Sequence, residues 1–296
     1  MTETLRQRIG QQLDTAVAPG VAAFAARLAE DADACGALFY GSNLRTGELE
    51  GVLDFYLLLP GEQHERIWPR VSYHEWEYEG QILRAKVARM ALKTFERAAR
   101  GDSRDTTIWA RFVQPSALVW IAEDRWRAPI VDAVAGAAQT AARLAAALGP
   151  ETGTAADFWR ALFRATYRAE FRVEKAGRED TILAVNAAHF EGLLPLAWTA
   201  QQIGFAHDGE TLAPHLPPGE RRRILRWWSR RRRLGKPLNV ARLLKASTTF
   251  DGAARYAAWK IERHTGVPVT VTPWRERHPV LAAPAILFQV WRKRPR

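Results

Sequence analysis

The chain has 296 residues, 47% of them hydrophobic and 25% charged, a balance that supports a sizeable folded core and excludes a disordered chain. Its longest apolar stretches, such as 282–291, fall short of the ~20 residues that cross a bilayer, and its single cysteine, Cys35, excludes an internal disulfide and a multi-cysteine zinc site. A net charge of +11 calls for an anionic partner, whether nucleic acid, an acidic membrane or a polyphosphate substrate.

The opening Met1-Thr2-Glu3 and the acids among the following arginines lack the marks of a signal or transit peptide, so the expected location is cytoplasmic. Residues 3–30 carry apolar side chains at helical spacing (Leu5, Ile9, Leu13, Val17, then Val21, Phe24, Leu28), and Pro19-Gly20 divides them into two helices. Two apolar runs, Cys35 to Gly41 and Gly51 to Leu59, read as buried strands. A strand or helix start followed by a helix is expected over 81–99, and a further apolar segment over 106–119 is interrupted by Pro115. From Ile130 the texture becomes Ala-rich and helical, to Leu148 and again over 155–200. The expected architecture is therefore an α/β front followed by a mainly helical back.

The segment 204–220, rich in Gly, Pro and His, reads as a long loop or hinge, and a basic helix follows it. Val269 to Thr272 alternates like a half-buried strand, but Pro268 and Pro273 limit it to an edge strand at best. Arginine concentrates in 221–223, in 230–233 and in the terminal Arg292-Lys293-Arg294-Pro295-Arg296. Trp227, Trp228 and Trp291 are interleaved with these runs. Such a mixture suits stacking on bases or lying at a headgroup layer, and equally a solvated helix whose tryptophans turn into the core.

The chemistry centres on Phe39-Tyr40-Gly41-Ser42 and on Asp54 in the next apolar run. Glycine admits a close backbone approach by a triphosphate, a serine hydroxyl donates to a phosphate oxygen, and a strand-borne carboxylate holds Mg²⁺ or Mn²⁺ against that phosphate. An unpaired carboxylate inside Val52 to Leu59 needs something to balance it, a metal or an arginine. The common nucleotidyltransferase pattern puts a second acid two positions on, where this chain has Tyr56.

Four segments in order resemble the mitochondrial translocator-assembly-and-maintenance family of phosphatidate cytidylyltransferases. These are Tyr40-Gly41-Ser42 with the Leu53-Asp54 strand, Ile108 to Pro115 around Arg111, Ala165 to Arg172 around Glu170, and the basic stretch from Arg242 through Lys245, Thr249, Tyr256 and Lys260. That family also lacks an acid at the position of Tyr56. Here the glycine before Arg111 and the lysine before Pro115 are not kept, Glu170 stands for an Asp, and the family's His-and-Asn insert after the Asp strand is absent.

The resemblance implies an α/β nucleotidyltransferase-like domain, a mixed sheet with flanking helices, over residues 1–125. A helical domain over 126–205 and a basic helical region with a tail over 206–296 follow. It implies transfer of a cytidylyl group from CTP to phosphatidate or a related lipid phosphate, at an anionic membrane surface on the inner face. Asp54 becomes the metal ligand, Tyr40, Gly41 and Ser42 the triphosphate cradle, and Glu170 a second carboxylate. Arg84 or Lys86 would neutralise phosphate, and Arg111, with its planar guanidinium, is suited to bidentate contact. Arg172 and Lys245 complete the set. Each of these charges has an ordinary alternative as a surface ion pair or solvated group. The seven histidines show no ligand spacing and read as structural or surface. Two other functions fit the same sequence: nucleotidyl transfer to a different acceptor, and nucleic-acid binding without catalysis.

Overall fold

The computed structural model describes residues 3–63, 65, 69–169, 177–277 and 279–293. Two helices lead in, α1 (Leu5–Leu13) and α2 (Pro19–Glu30), with Pro19 in the first turn of α2, where its missing N–H costs no helical bond. Strand β1 (Gly36–Tyr40), the short helix α3 (Ser42–Thr46), β2 (Leu53–Leu59), β3 (Arg70–Tyr78) and β4 (Gln81–Ala91) follow. Next come α4 (Leu92–Ala99), α5 (Thr107–Phe112) and β5 (Ser116–Ile121). These strands form one mixed sheet in the order β3-β4-β2-β1-β5, with β2 parallel to β4 and the other pairs antiparallel.

The sheet is covered on both faces, which is why β2 reads as an almost unbroken apolar run. On one face Leu38, Tyr56, Leu58 and Met90 join a core with α1, α4, α5 and the long helix α6 (Arg127–Leu148). On the other, Phe39, Phe55, Leu57 and Val87 pack on Val21, Phe24 and Leu28 of α2. Asp54 lies on the α5 side, two residues before Tyr56 on the same strand.

The first core extends into a helical layer: α7 (Ala155–Ala169) after the two-residue strand β6 (Gly153–Thr154), then α8 (Arg178–Val185), α9 (Ala187–Phe190) and α10 (Leu193–Thr199). A small hairpin, β7 (Phe205–Asp208) and β8 (Thr211–Pro214), occupies the expected long loop and pairs with β6. Its turn is Gly209-Glu210, with Gly209 at φ 58°, so the glycine that marked a loop is a hairpin turn residue. Helices α11 (Pro218–Thr249), α12 (Ala253–Thr265), α13 (Pro273–Arg277) and α14 (Pro279–Lys293) complete the chain.

One further sequence expectation is corrected and one open reading is narrowed. Residues 269–272 form no strand; they connect α12 to α13, where the Thr272 hydroxyl accepts from Arg275 N at 3.3 Å and caps the helix that Pro273 opens. Of the readings open for Trp227 and Trp228, the structure favours tryptophans turned into the fold. Trp228 is buried, the Trp227 indole donates to Gly101 O at 3.2 Å, and Arg231 stacks 4.0 Å above the Trp227 ring while donating to the Gly101 and Ser103 carbonyls. Together these groups tie α11 to the α4–α5 connection. The Trp291 side chain and residues 294–296 lie outside the described residues.

Candidate functional site

Strand β1 ends at Tyr40, and the chain reverses through Gly41 at φ 96°, ψ −164°, a region open in practice to glycine alone. A Cβ at Gly41 would stand 3.2 Å from Oδ2 of Asp54. The carboxylate therefore lies against the backbone of the Tyr40-Gly41-Ser42 turn. The loop beyond is closed by Asn43, whose amide donates to Glu48 O at 2.9 Å and to Glu50 O at 2.8 Å.

Register places a row of polar side chains across the sheet: Tyr73 opposite Lys86, Lys86 opposite Asp54, Asp54 opposite Tyr40 and Tyr40 opposite Ser116. Directly paired residues share a face, so all five are on the Asp54 side. Arg111, at the last turn of α5, sets its guanidinium 5.3 Å from the centre of the Tyr40 ring. The Tyr40 ring is held by Phe112 at 5.5 Å.

Burial pushes the Asp54 carboxyl above the usual carboxylate range, opposed by the positive charges of Lys86, Arg111 and Lys260. Among the described residues Asp54 forms no ion pair within 4.0 Å and receives no hydrogen bond that would hold its charge. Burial also pushes the Tyr40 phenol up to about 12, so it stays protonated at neutral pH and available as a donor. A buried carboxylate with three cations acting on it leaves positive charge in excess on this face.

Tyr40, Gly41, Lys86 and Arg111 thus converge on Asp54. Ser42 opens α3, and its hydroxyl reaches Asn43 Oδ1 at 3.4 Å. Arg84 lies on the same face of β4, two residues from Lys86, but is engaged elsewhere: its Nε is 3.3 Å from Glu75 Oε1 and its guanidinium stacks over Trp259 at 5.7 Å. Lys245 on α11 is ion-paired with Glu65. Glu170 and Arg172 lie outside the described residues.

Sequence reasoning passed over two contributors. Strand β3 alternates Val71, Tyr73 and Glu75 with Ser72, His74 and Trp76, and its hairpin to β4 turns at Glu79-Gly80, with φ 50° and 79°. The Glu-Gly pair between two alternating runs was the available signal. The second is α12, which brings Lys260 toward Asp54 and sets the guanidinium of Arg263 3.3 Å from the Cβ position of Gly51. Lys260 stood in a basic stretch but had no role attached to it.

Among the described residues, no group of three or more His, Cys, Asp or Glu could hold a metal ion. A tightly chelated resident ion needs several protein ligands, and the described residues at this turn offer Asp54 as a carboxylate. Mg²⁺ differs, because it keeps waters and is often bound through one or two carboxylates plus substrate phosphates. A carboxylate kept short of hydrogen-bond partners beside a glycine turn fits that second mode, with Asp54 as the protein ligand. Comparison with known proteins found no matching family model and no matching curated protein.

Proposed function

We propose that the chain is a metal-dependent nucleotidyltransferase, and specifically a phosphatidate cytidylyltransferase that converts CTP and phosphatidate to CDP-diacylglycerol and pyrophosphate. The observation that carries this reading is the contact between the Asp54 carboxylate and Gly41, with Lys86 and Arg111 beside it. It supports the reading because a carboxylate suited to Mg²⁺, a glycine turn open to phosphates and two cations lie on one face of a mixed sheet, the combination that nucleotidyl transfer needs.

In the reaction, a phosphate oxygen of phosphatidate attacks the α-phosphorus of CTP, a new P–O bond forms in line, and the bond to the β-phosphate breaks to release pyrophosphate. A phosphate monoester is already an anionic nucleophile near neutral pH, so no general base is required. Positioning and charge neutralisation supply the rate enhancement. Lys86 and Arg111 offset negative charge on the triphosphate, Tyr40 donates from its neutral phenol, and the Gly41 backbone lets the phosphates approach. Bound Mg²⁺ would add neutralisation of the charge that develops on the leaving pyrophosphate.

The lipid specificity rests on the four-segment resemblance and on the C-terminal helices. No helix among the described residues is long and apolar enough to cross a membrane. Trp274 and Leu281 are nonetheless exposed on α13 and α14, next to Arg275 and Arg277, which suits docking on an anionic surface. Nucleic-acid binding draws less support, because Trp227, Trp228 and Arg231, the stacking candidates, are spent inside the fold.

The deciding experiment mixes the protein with radiolabelled CTP, Mg²⁺ and a panel of lipid phosphates and measures label in the organic phase. Label should appear with phosphatidate and vanish with Asp54→Asn. Equal label from Asp54→Asn and wild type would remove Asp54 from the chemistry. Transfer to another acceptor in preference to phosphatidate would keep the class and change the substrate.

A further inference from the structure

Helix α12 is fixed along the Asp54 face by contacts with the sheet. Beyond edge strand β3, Tyr73 N donates to Asp251 O at 2.8 Å, and Gly252, at φ 79°, would place a Cβ 2.7 Å from Tyr73 O. The chain therefore turns tightly against β3 as it enters α12. Tyr256 then meets Tyr73 at 5.3 Å, Trp259 lies under Arg84, and Arg263 reaches the Gly51 backbone just ahead of β2.

This course leaves Lys260 and Arg263 three residues apart, on one side of the helix and exposed to solvent. Each is braced by an aromatic ring one turn earlier: the Lys260 Nζ is 4.8 Å from the centre of Tyr256, and the Arg263 guanidinium is 5.3 Å from that of Trp259. Among the described residues neither forms an ion pair. Two braced, accessible cations at the rim of the Asp54 face offer a site for an anion.

Nucleotidyl transfer to a phosphate must bring two anionic groups to one point, and the cations divide by origin in a way that serves two. Lys86 and Arg111 belong to β4 and α5, at the Gly41 turn. Lys260 and Arg263 belong to α12, against which α13 and α14 pack, carrying the exposed Trp274 and Leu281. An amphiphile whose chains rest on α13 and α14 presents its phosphate to α12 first. We propose that Lys260 and Arg263 clamp the phosphate monoester of the acceptor, separately from the cations that hold the nucleotide. A monoester carries about −1.5 to −2 charges near pH 7, which two cations match better than they match a phosphodiester. This assignment rests on the transfer reading and adds the subsite that selects the acceptor.

The test compares wild type with the double variant Lys260→Gln/Arg263→Gln; both positions are exposed, so folding is preserved, as a thermal melt checks. The KM for phosphatidate in mixed micelles should rise about tenfold or more, the scale of losing a charge-assisted hydrogen bond, while the calorimetric Kd for Mg-CTP rises much less, because Lys260 acts on Asp54 without an ion pair. The charge-conserving Lys260→Arg/Arg263→Lys should recover most of the loss. A weakened CTP affinity with unchanged phosphatidate KM would overturn the clamp, as would no change in either. Vesicle binding judges the clamp even if no transfer is found and the enzymatic reading falls. Wild type should then prefer phosphatidylcholine vesicles doped with phosphatidate over those doped equally with phosphatidylglycerol, and the double variant should lose that preference. Equal preference in both proteins overturns the proposal.

Discussion

The Asp54 carboxylate rests against the backbone of Gly41, so close that a methyl group at position 41 would stand 3.2 Å from Oδ2. Two constraints coincide there, since φ of 96° already disfavours any side chain and the added carbon also presses on the carboxylate. Gly41→Ala should therefore destabilise the protein by about 1–3 kcal/mol, the usual cost of a side chain in such backbone geometry. It should also lower transfer by more than that loss of stability explains. Calorimetry paired with kcat/KM for CTP checks both, and a variant with unchanged stability and rate would show that the turn tolerates a side chain.

Asp54 itself is held at the expense of stability. Its folded pKa is raised above the unfolded value, so the folded state binds the proton more tightly and loses stability as pH rises through that window. Asp54→Asn, which imitates the protonated form, should melt higher than wild type at pH 7, and the difference should shrink as the pH falls toward the carboxylate range. Transfer should be lost in the same variant. A lower melting temperature for Asp54→Asn at pH 7 would mean that Lys86, Arg111 and Lys260 stabilise the ion more than burial penalises it.

Much of this arrangement was legible in the chain because it follows from local rules. An apolar run ending in Gly-Ser, then a carboxylate in the next run, gives two adjacent strands, and antiparallel register brings Tyr40 opposite Asp54. Lys86 was legible as a candidate but not its placement, because the parallel pairing of β2 with β4 depends on β3, which alternates too many charged residues to stand out. Lys260 was out of reach for a different reason. Its approach to Asp54 is set by the docking of α12 and its entry on β3, through the bridge between Ser72 and Asp251 and the contact between Tyr73 and Tyr256, some two hundred residues after β1, and no local pattern encodes that docking. The tryptophans of α11 could not be assigned from sequence, because an indole beside arginines has the same signature whether it meets a ligand or, as Trp227 does, a carbonyl of its own chain.

The placement of Arg111 depends on a buried ion pair. Asp105 accepts from Thr107 N at 2.9 Å at the start of α5 and pairs with Arg242 of α11 at 2.6 Å, with the carboxylate side chain only 4% exposed. Arg242→Met leaves that charge without its cation and should destabilise the protein by about 3–5 kcal/mol. Adding Asp105→Asn should restore part of the loss. A denaturant titration of the two variants measures this, and additive losses would show that the pair is not coupled. Because α5 carries Arg111, the KM for CTP should rise in the single variant even at temperatures where it is fully folded.

The exposed apolar and basic side chains of α13 and α14 lead to a salt dependence. If Arg275 and Arg277 dock the protein on an anionic bilayer, each contributes about 1 kcal/mol near the surface, screened within a Debye length of about 10 Å at 0.1 M salt. Cosedimentation with anionic vesicles should fall steeply as ionic strength rises, and Trp274→Ala should weaken it further. Binding that ignores salt would assign the membrane contact to apolar insertion alone.

His189 governs acid stability. Its Nε2 lies 2.8 Å from Val113 O, and burial pushes its pKa down to about 4, so the neutral ring is the tautomer that donates to that carbonyl. The unfolded chain takes up the proton near 6.5, earlier than the folded chain does, and stability contributed by the neutral ring is therefore complete above about 6.5 and is lost as pH falls toward 4. Glutamine at this position keeps a donor for Val113 O but cannot titrate. His189→Gln should accordingly flatten the decline of melting temperature between pH 6.5 and 4 while leaving the pH 8 value within a few degrees of wild type. An unchanged acid slope would place the titration elsewhere in the fold and leave His189 as a packing residue between α9 and α5.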